Sequence, residues 1–139
     1  MNEERPALAP GMEGGFEAQV RHEWTRAFYE PRLPAVFSTP AMIALMESAI
    51  SRAVAPTLEE NTFTVGTRVD VEHLKAIPVG ATVFVSARLA EIAGRRLLFE
   101  VEARSGETVI GRGRITHVIV SLKKFSRIAG VEDTPQDKK

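Results

Sequence analysis

Pro40-Ala-Met-Ile-Ala-Leu-Met-Glu-Ser-Ala-Ile-Ser51 is the run on which the architecture of this chain turns. Glu47 is its only charged residue, and the helical neighbours Ile43, Ala44, Ile50 and Val54 are all apolar. A helix that is hydrophobic nearly all round belongs inside a fold. Upstream, Thr39-Pro40 has the order expected of an N-cap residue followed by proline at the first helical position. Pro56 stops the pattern, so a helix is predicted from about residue 40 to Ala55.

Downstream the hydrophobic period changes from 3.6 to 2. Val65, Thr67, Val69, Val71, His73 and Ile77 alternate with Gly66, Arg68, Asp70 and Glu72, the pattern of a half-buried antiparallel strand. Pro78-Val79-Gly80 turns the chain, and Val83, Val85, Ala87 and Leu89 repeat the alternation over residues 82 to 92. Ala93-Gly94 and Ser105-Gly106 supply two further turns around a strand carrying Leu97, Phe99, Val101 and Ala103. A long last strand is predicted over residues 109 to 122. Upstream of the helix, residues 16 to 24 read as a short strand, followed by an irregular stretch through Pro31, Arg32, Leu33 and Pro34. One apolar helix followed by an antiparallel meander packs by letting the sheet curl around the helix. The expected class is therefore α+β, of hotdog type, with about five strands. A single sheet of that size leaves an edge open, and pairing with a second subunit is the common remedy, so a homodimer is expected.

The 139 residues fit a single domain spanning 1–139, with Pro-, Gly- and charge-rich stretches at 1–14 and 126–139 expected as tails. Eighteen basic and eighteen acidic residues cancel, which removes the electrostatic footprint of a nucleic-acid binder. Zero cysteines exclude disulfides, thiolate metal sites and a cysteine nucleophile. No run approaches eighteen apolar residues and the N-terminus lacks the order of a secretory signal, so a cytoplasmic protein with no membrane partner is expected. The sequence carries no Gly-x-Ser-x-Gly elbow, no phosphate loop and no histidine pair at metal-ligand spacing, and no metal or cofactor is expected.

The candidates for chemistry are few. An ionised carboxylate on a buried helix costs several kcal/mol unless it is paired or hydrogen-bonded. His73 lies in register with Val69 and Val71 on the face expected to meet the helix, so Glu47 and His73 are expected to form a pair. Imidazole held by a carboxylate can position or activate water, and a purely structural Glu–His pair is the plain alternative. Thr39 reads first as an N-cap, although Met42 rather than Glu or Gln stands where a capping box needs it. The start of a buried helix also stabilises a developing oxyanion. Thr39 and Glu47 are eight residues, about 12 Å, apart on one helix, so a fold-back of the Thr39 loop or a dimer interface in trans must unite them. Gly66 marks either a bulge or a close approach to the backbone, and bending is the favoured reading of Gly111 and Gly113. His117 reads from its strand alone as partly exposed. The basic pairs Arg95-Arg96 and Lys123-Lys124 are solvated ends or contacts for the phosphates of a nucleotide-bearing substrate.

The run Val36-Phe-Ser-Thr-Pro-Ala-Met-Ile-Ala-Leu-Met-Glu47, together with Val65-Gly-Thr-Arg-Val-Asp-Val-Glu-His73, resembles the fluoroacetyl-CoA-thioesterase-like branch of the hotdog thioesterases. The likeness continues through Ala90 to Leu97, Ile110 to Gly113 and Leu122 to Phe125, covering roughly residues 34 to 125. It implies a metal-free dimeric hydrolase of acyl-CoA thioesters, with catalytic Thr39, Glu47 and His73. It also implies an acyl group beside Gly66, with Leu33, Phe37 and His117 as further substrate contacts. Glu30 and Leu33 stand where fluoroacyl-selective members are aromatic, and His117 stands where an arginine is expected. The expected reaction is hydrolysis of a short- or medium-chain acyl-CoA, and the alternative is a non-catalytic acyl-CoA sensor or carrier.

Overall fold

The structure is a computed structural model that describes residues 5–131. It opens on β1 (Glu13–Gln19), followed by a turn of 3-10 helix and the short α1 (Arg26–Tyr29). The central helix α2 (Thr39–Val54) precedes β2 (Thr62–His73), β3 (Thr82–Ala93), β4 (Arg96–Ser105) and β5 (Thr108–Ser121), and α3 (Leu122–Ala129) follows. The strands form one antiparallel five-stranded sheet in the order β1-β3-β4-β5-β2, with α2 packed on one face. The α+β expectation is met.

Alternation sets which face each strand gives the helix. Val83, Val85, Ala87 and Leu89 of β3, Leu97, Phe99, Val101 and Ala103 of β4, and Ile115 of β5 are buried against Met42, Met46, Ala49, Ile50, Ala53 and Val54 of α2. Met42, Met46 and Ile50 are fully buried, each such side chain contributing about 1.5–3 kcal/mol. The opposite face is a cross-strand charge ladder in which Glu13, Arg88, Glu100, Arg114 and Asp70 stand in successive register. Opposite charges paired this way favour the register and keep that face in water. Gly80, Gly94 and Gly106 occupy the three expected turns with φ of 90°, 65° and 62°, which glycine adopts without a Cβ clash.

Four local expectations are corrected. First, β1 begins at Glu13 and ends at Gln19, so residues 13 and 14 of the expected tail are strand and His22–Trp24 is 3-10 helix. Pairing with β3 from Glu13 to Gln19 overrides the weak local signal. Second, the cap of α2 is Ser38, whose Oγ accepts from the Ala41 N–H at 3.2 Å, leaving Thr39 as the first helical residue. Third, the C-terminal stretch expected as tail from residue 126 forms the end of α3, capped by Ser121 and closed by Gly130 at φ 79°. Residues 1–4 and 132–139 of the expected tails lie outside the described residues.

The fourth correction concerns β2 and controls the site. Gly66 pairs with His117 and Arg68 with Thr116, so Thr67 is an extra residue in a β-bulge. A one-residue slip moves every later side chain to the other face. Before the bulge, Thr64 and Gly66 face the helix layer; after it, Val69, Val71 and His73 do. The uniform face expected from Val65 to His73 is therefore broken in the middle.

Candidate functional site

At the start of α2, the cap by Ser38 frees the Thr39 hydroxyl. Thr39 Oγ1 lies 2.8 Å from Nδ1 of His73, the last residue of β2. Phe37, 1% exposed, meets the His73 ring edge-to-face at a centroid distance of 6.2 Å. Burial pushes the His73 pKa below the ordinary histidine range, against a smaller upward pull from the Lys75 backbone. The imidazole is thus neutral at neutral pH. A cleft of about 240 Å³ opens over this pair, lined by Val36, Phe37, Thr39, His73 and Leu74 among others. The His73 Nε2 atom is buried and has no hydrogen-bond partner among the described residues.

Two turns along α2, Glu47 meets a different imidazole from the one expected. Its Oε1 lies 2.9 Å from Nε2 of His117 in β5. His117 Nδ1 is in turn 2.8 Å from Thr64 Oγ1 in β2. Far from being partly exposed, His117 is 2% exposed, with its ring edge against Phe99 at 5.7 Å. Burial lowers its pKa, while the Glu47 carboxylate pulls the other way. Glu47 itself is half-buried, its side chain 34% exposed, because Ile43, Ala44 and Glu47 lie on the flank of α2 that the sheet leaves partly open. The expectation of a fully sequestered acid is corrected accordingly.

The expected Glu47–His73 pair does not form within one chain. The physical reason is distance along α2: Thr39 holds His73 at the first turn, and Glu47 sits about 12 Å further on. Gly66 joins the Glu47 group, since a Cβ there would lie 2.9 Å from Glu47 Oε2 and 3.4 Å from His117 Nε2. The bulge reading of this glycine holds, and the space a Cβ would take is filled by the carboxylate. Gly111 serves packing, since a Cβ there would collide with the Met42 sulfur. Leu33 lies partly buried before α2, apart from either histidine's hydrogen-bond partners.

Thr64 escaped sequence reasoning altogether. It reads as a strand residue, and its inward face follows only from the bulge. The signal for His117 was present: it alternates with Ile115 and Ile119, which are buried or partly buried, so its own burial was readable. A concavity of about 660 Å³ lies on the opposite face of the sheet among Arg88, Glu100, Arg112 and Arg114, away from both histidines.

What the arrangement offers is two threonine–histidine pairs, one beside a carboxylate. It can hold a polar carbonyl, orient water and move a proton. A family model described as fluoroacetyl-CoA-specific thioesterase matches residues 20–123. The fluoroacetyl-CoA thioesterase of Streptantibioticus cattleyicolor is 40% identical over 107 residues, which span 77% of each chain. The solved structure of the fluoroacetyl-CoA thioesterase FlK superposes with a TM-score of 0.84 at 34% identity, covering 94% of this chain and 100% of that one. A hot-dog-like protein from Thermanaerovibrio acidaminovorans, 20% identical, shares the fold at a TM-score of 0.79 over 86% of this chain and 89% of its own.

Proposed function

The chain belongs to the fluoroacetyl-CoA-specific thioesterase family, and from that membership and the two threonine–histidine pairs we propose how it works as an acyl-CoA thioesterase on short- or medium-chain esters. It is a hotdog-fold thioester hydrolase. The finer reading is that Thr39, Glu47 and His73 are its catalytic residues. Glu47 acts as general base toward water or as nucleophile toward the thioester carbonyl, and His73 acts as a shuttle, taking up the proton that water releases and passing it to the departing CoA thiolate. Water supplies the hydroxyl of the free acid, as the C–S bond breaks on the first route and on hydrolysis of the acyl–Glu47 anhydride on the second. Thr39 receives the carbonyl oxygen through its hydroxyl and its backbone N–H at the start of α2. Gly66, Phe37, Leu33 and His117 surround the acyl group directly or through their neighbours.

The observations that carry this reading are the Thr39–His73 pair, whose buried Nε2 has no hydrogen-bond partner among the described residues, and the Glu47 carboxylate held 2.9 Å from His117 Nε2. Within one subunit the two lie in separate places, which is the argument for a homodimer. β2 is an edge strand, twelve residues long, with Val69 45% exposed and its outer backbone edge unpaired among the described residues. Such an edge templates another strand. Antiparallel pairing of two β2 edges about a two-fold between Val69 and Asp70 sets Gly66 opposite the partner's His73. It thereby brings Glu47 to the partner's Thr39–His73 pair, and each dimer gains two composite sites. The same contact covers the open apolar flank of α2. We read the described elements as one domain and place the protein in the cytoplasm, where acyl-CoA pools lie.

The test is thiol release from CoA esters of graded chain length and polarity, run on wild type and on Glu47→Gln. Release from short or medium esters that collapses in Glu47→Gln supports the proposal. Tight CoA-ester binding with no thiol release from any ester would overturn it.

A further inference from the structure

Behind the Glu47 carboxylate the fold buries a second imidazole whose two nitrogens are both spoken for in direction. His117 Nε2 is 2.9 Å from Glu47 Oε1, and His117 Nδ1 is 2.8 Å from Thr64 Oγ1. An ionised carboxylate only accepts hydrogen bonds, so the nitrogen turned toward it is the one that carries the proton. Nδ1 is then the acceptor, and the Thr64 hydroxyl donates to it. The backbone geometry that makes this possible is the bulge at Gly66–Arg68, which turns Thr64 to the same face as His117.

We propose that Thr64 and His117 form a positioning pair that clamps Oε1 of Glu47 and leaves Oε2, the oxygen beside Gly66, as the one that attacks the thioester or takes the proton of its water. This rests on the role given to Glu47 above, and goes beyond it by dividing the labour between the two carboxylate oxygens. The contact is short but oblique, since Nε2 has no in-line hydrogen-bond partner. The terminal torsion of glutamate is broad, so the carboxylate turns into line at small cost when substrate arrives, as catalytic hydrogen bonds commonly do. Burial keeps His117 in its neutral form, and Glu47 is the charged side chain in contact with it. A neutral clamp orients the carboxylate without cancelling its charge, whereas a cation there would bind the same oxygens and blunt their basicity.

Substitution separates a clamp from a space-filler. The amide nitrogen of glutamine reaches the place of Nε2, while that of asparagine reaches only the place of Nδ1. The expected result is that His117→Asn lowers kcat by about 10- to 100-fold, the usual scale for a partner that orients a working ligand, with KM little changed. His117→Gln then recovers most of the rate, and Thr64→Val loses rate where Thr64→Ser keeps it. Equal losses in the Asn and Gln variants, or a loss confined to KM, would overturn the proposal. Nitrogen-15 NMR of the imidazole in the substrate-free wild type gives a second reading that needs no turnover. The Nε2–H tautomer of His117 is expected, and the Nδ1–H tautomer would overturn the clamp. Absence of thiol release in wild type would sink the hydrolase reading alone, and the tautomer would still decide the Thr64–His117–Glu47 arrangement.

Discussion

Two threonine–histidine pairs, built alike, sit in unlike surroundings. In each, a threonine Oγ1 lies 2.8 Å from Nδ1 and the Nε2 atom is buried without an in-line partner. Thr39–His73 stands at the mouth of a cleft, on an exposed threonine and the end of a strand. Thr64–His117 lies under the sheet, in its two adjoining strands, with a carboxylate against it. A local motif thus does not fix a role: access to solvent suits the first pair to meet a substrate, and enclosure suits the second to hold an acid. The position of Glu47 on α2, at its second half rather than its first turn, decides which histidine it serves.

The comparison breaks most sharply in mixed dimers. Glu47→Ala and His73→Ala are each expected to lower turnover by at least about a hundredfold, the usual scale for a lost acid or base. Mixing the two variants at equal amounts should restore about a quarter of the wild-type rate, because half the dimers then carry one intact composite site. Recovery of nothing would show that the two pairs do not act across subunits. Next in size is Gly66→Ala, whose new methyl group would press within 2.9 Å of Glu47 Oε2 and move the carboxylate. About a tenfold fall in kcat is expected from a displacement short of 1 Å, with the fold intact by circular dichroism. An unchanged rate would remove Oε2 from the chemistry.

Acid should separate the pairs from the rest of the molecule. Both histidines are held below the ordinary value of 6.5 by burial, so beneath about that pH the unfolded chain binds more protons than the folded one. Stability is therefore expected to fall as pH drops through 6.5 toward the lower folded values, and to level out beneath them. The acid limb of kcat/KM should report an apparent pKa below 6.5, whereas a rate that falls as pH rises through that range would show that His73 works as the cation. Smallest of all is the cap. Ser38→Ala should cost about 1 kcal/mol by denaturant titration, whereas Thr39→Val should cost rate and little stability. The reverse pattern would return the capping role to Thr39.

Much of this was legible in the chain. The apolar run from Pro40 to Ser51 announces a packed helix, and the alternation from Val83 to Ala103 announces strands whose burial follows it residue by residue. Glu47, His73, Thr39 and Gly66 stand out by being polar or small where a core pattern expects otherwise. The N-cap was misplaced by one residue because Ser38 and Thr39 are both good caps, and only the hydrogen bond to Ala41 separates them.

The partner of Glu47 was beyond reach of the sequence. Periodicity and turn residues are local, since they reflect how neighbouring backbone angles place successive side chains, and they fix which segments are helix and strand. Register between β2 and β5 is non-local, and the single extra residue at Thr67 reverses the facing of everything beyond it. The chain by itself thus determined an apolar helix, an antiparallel meander and a short list of reactive side chains. Tertiary structure alone decided that Thr64 joins them, that within one subunit His117 and not His73 meets the acid, and that the open edge of β2 faces outward beside both.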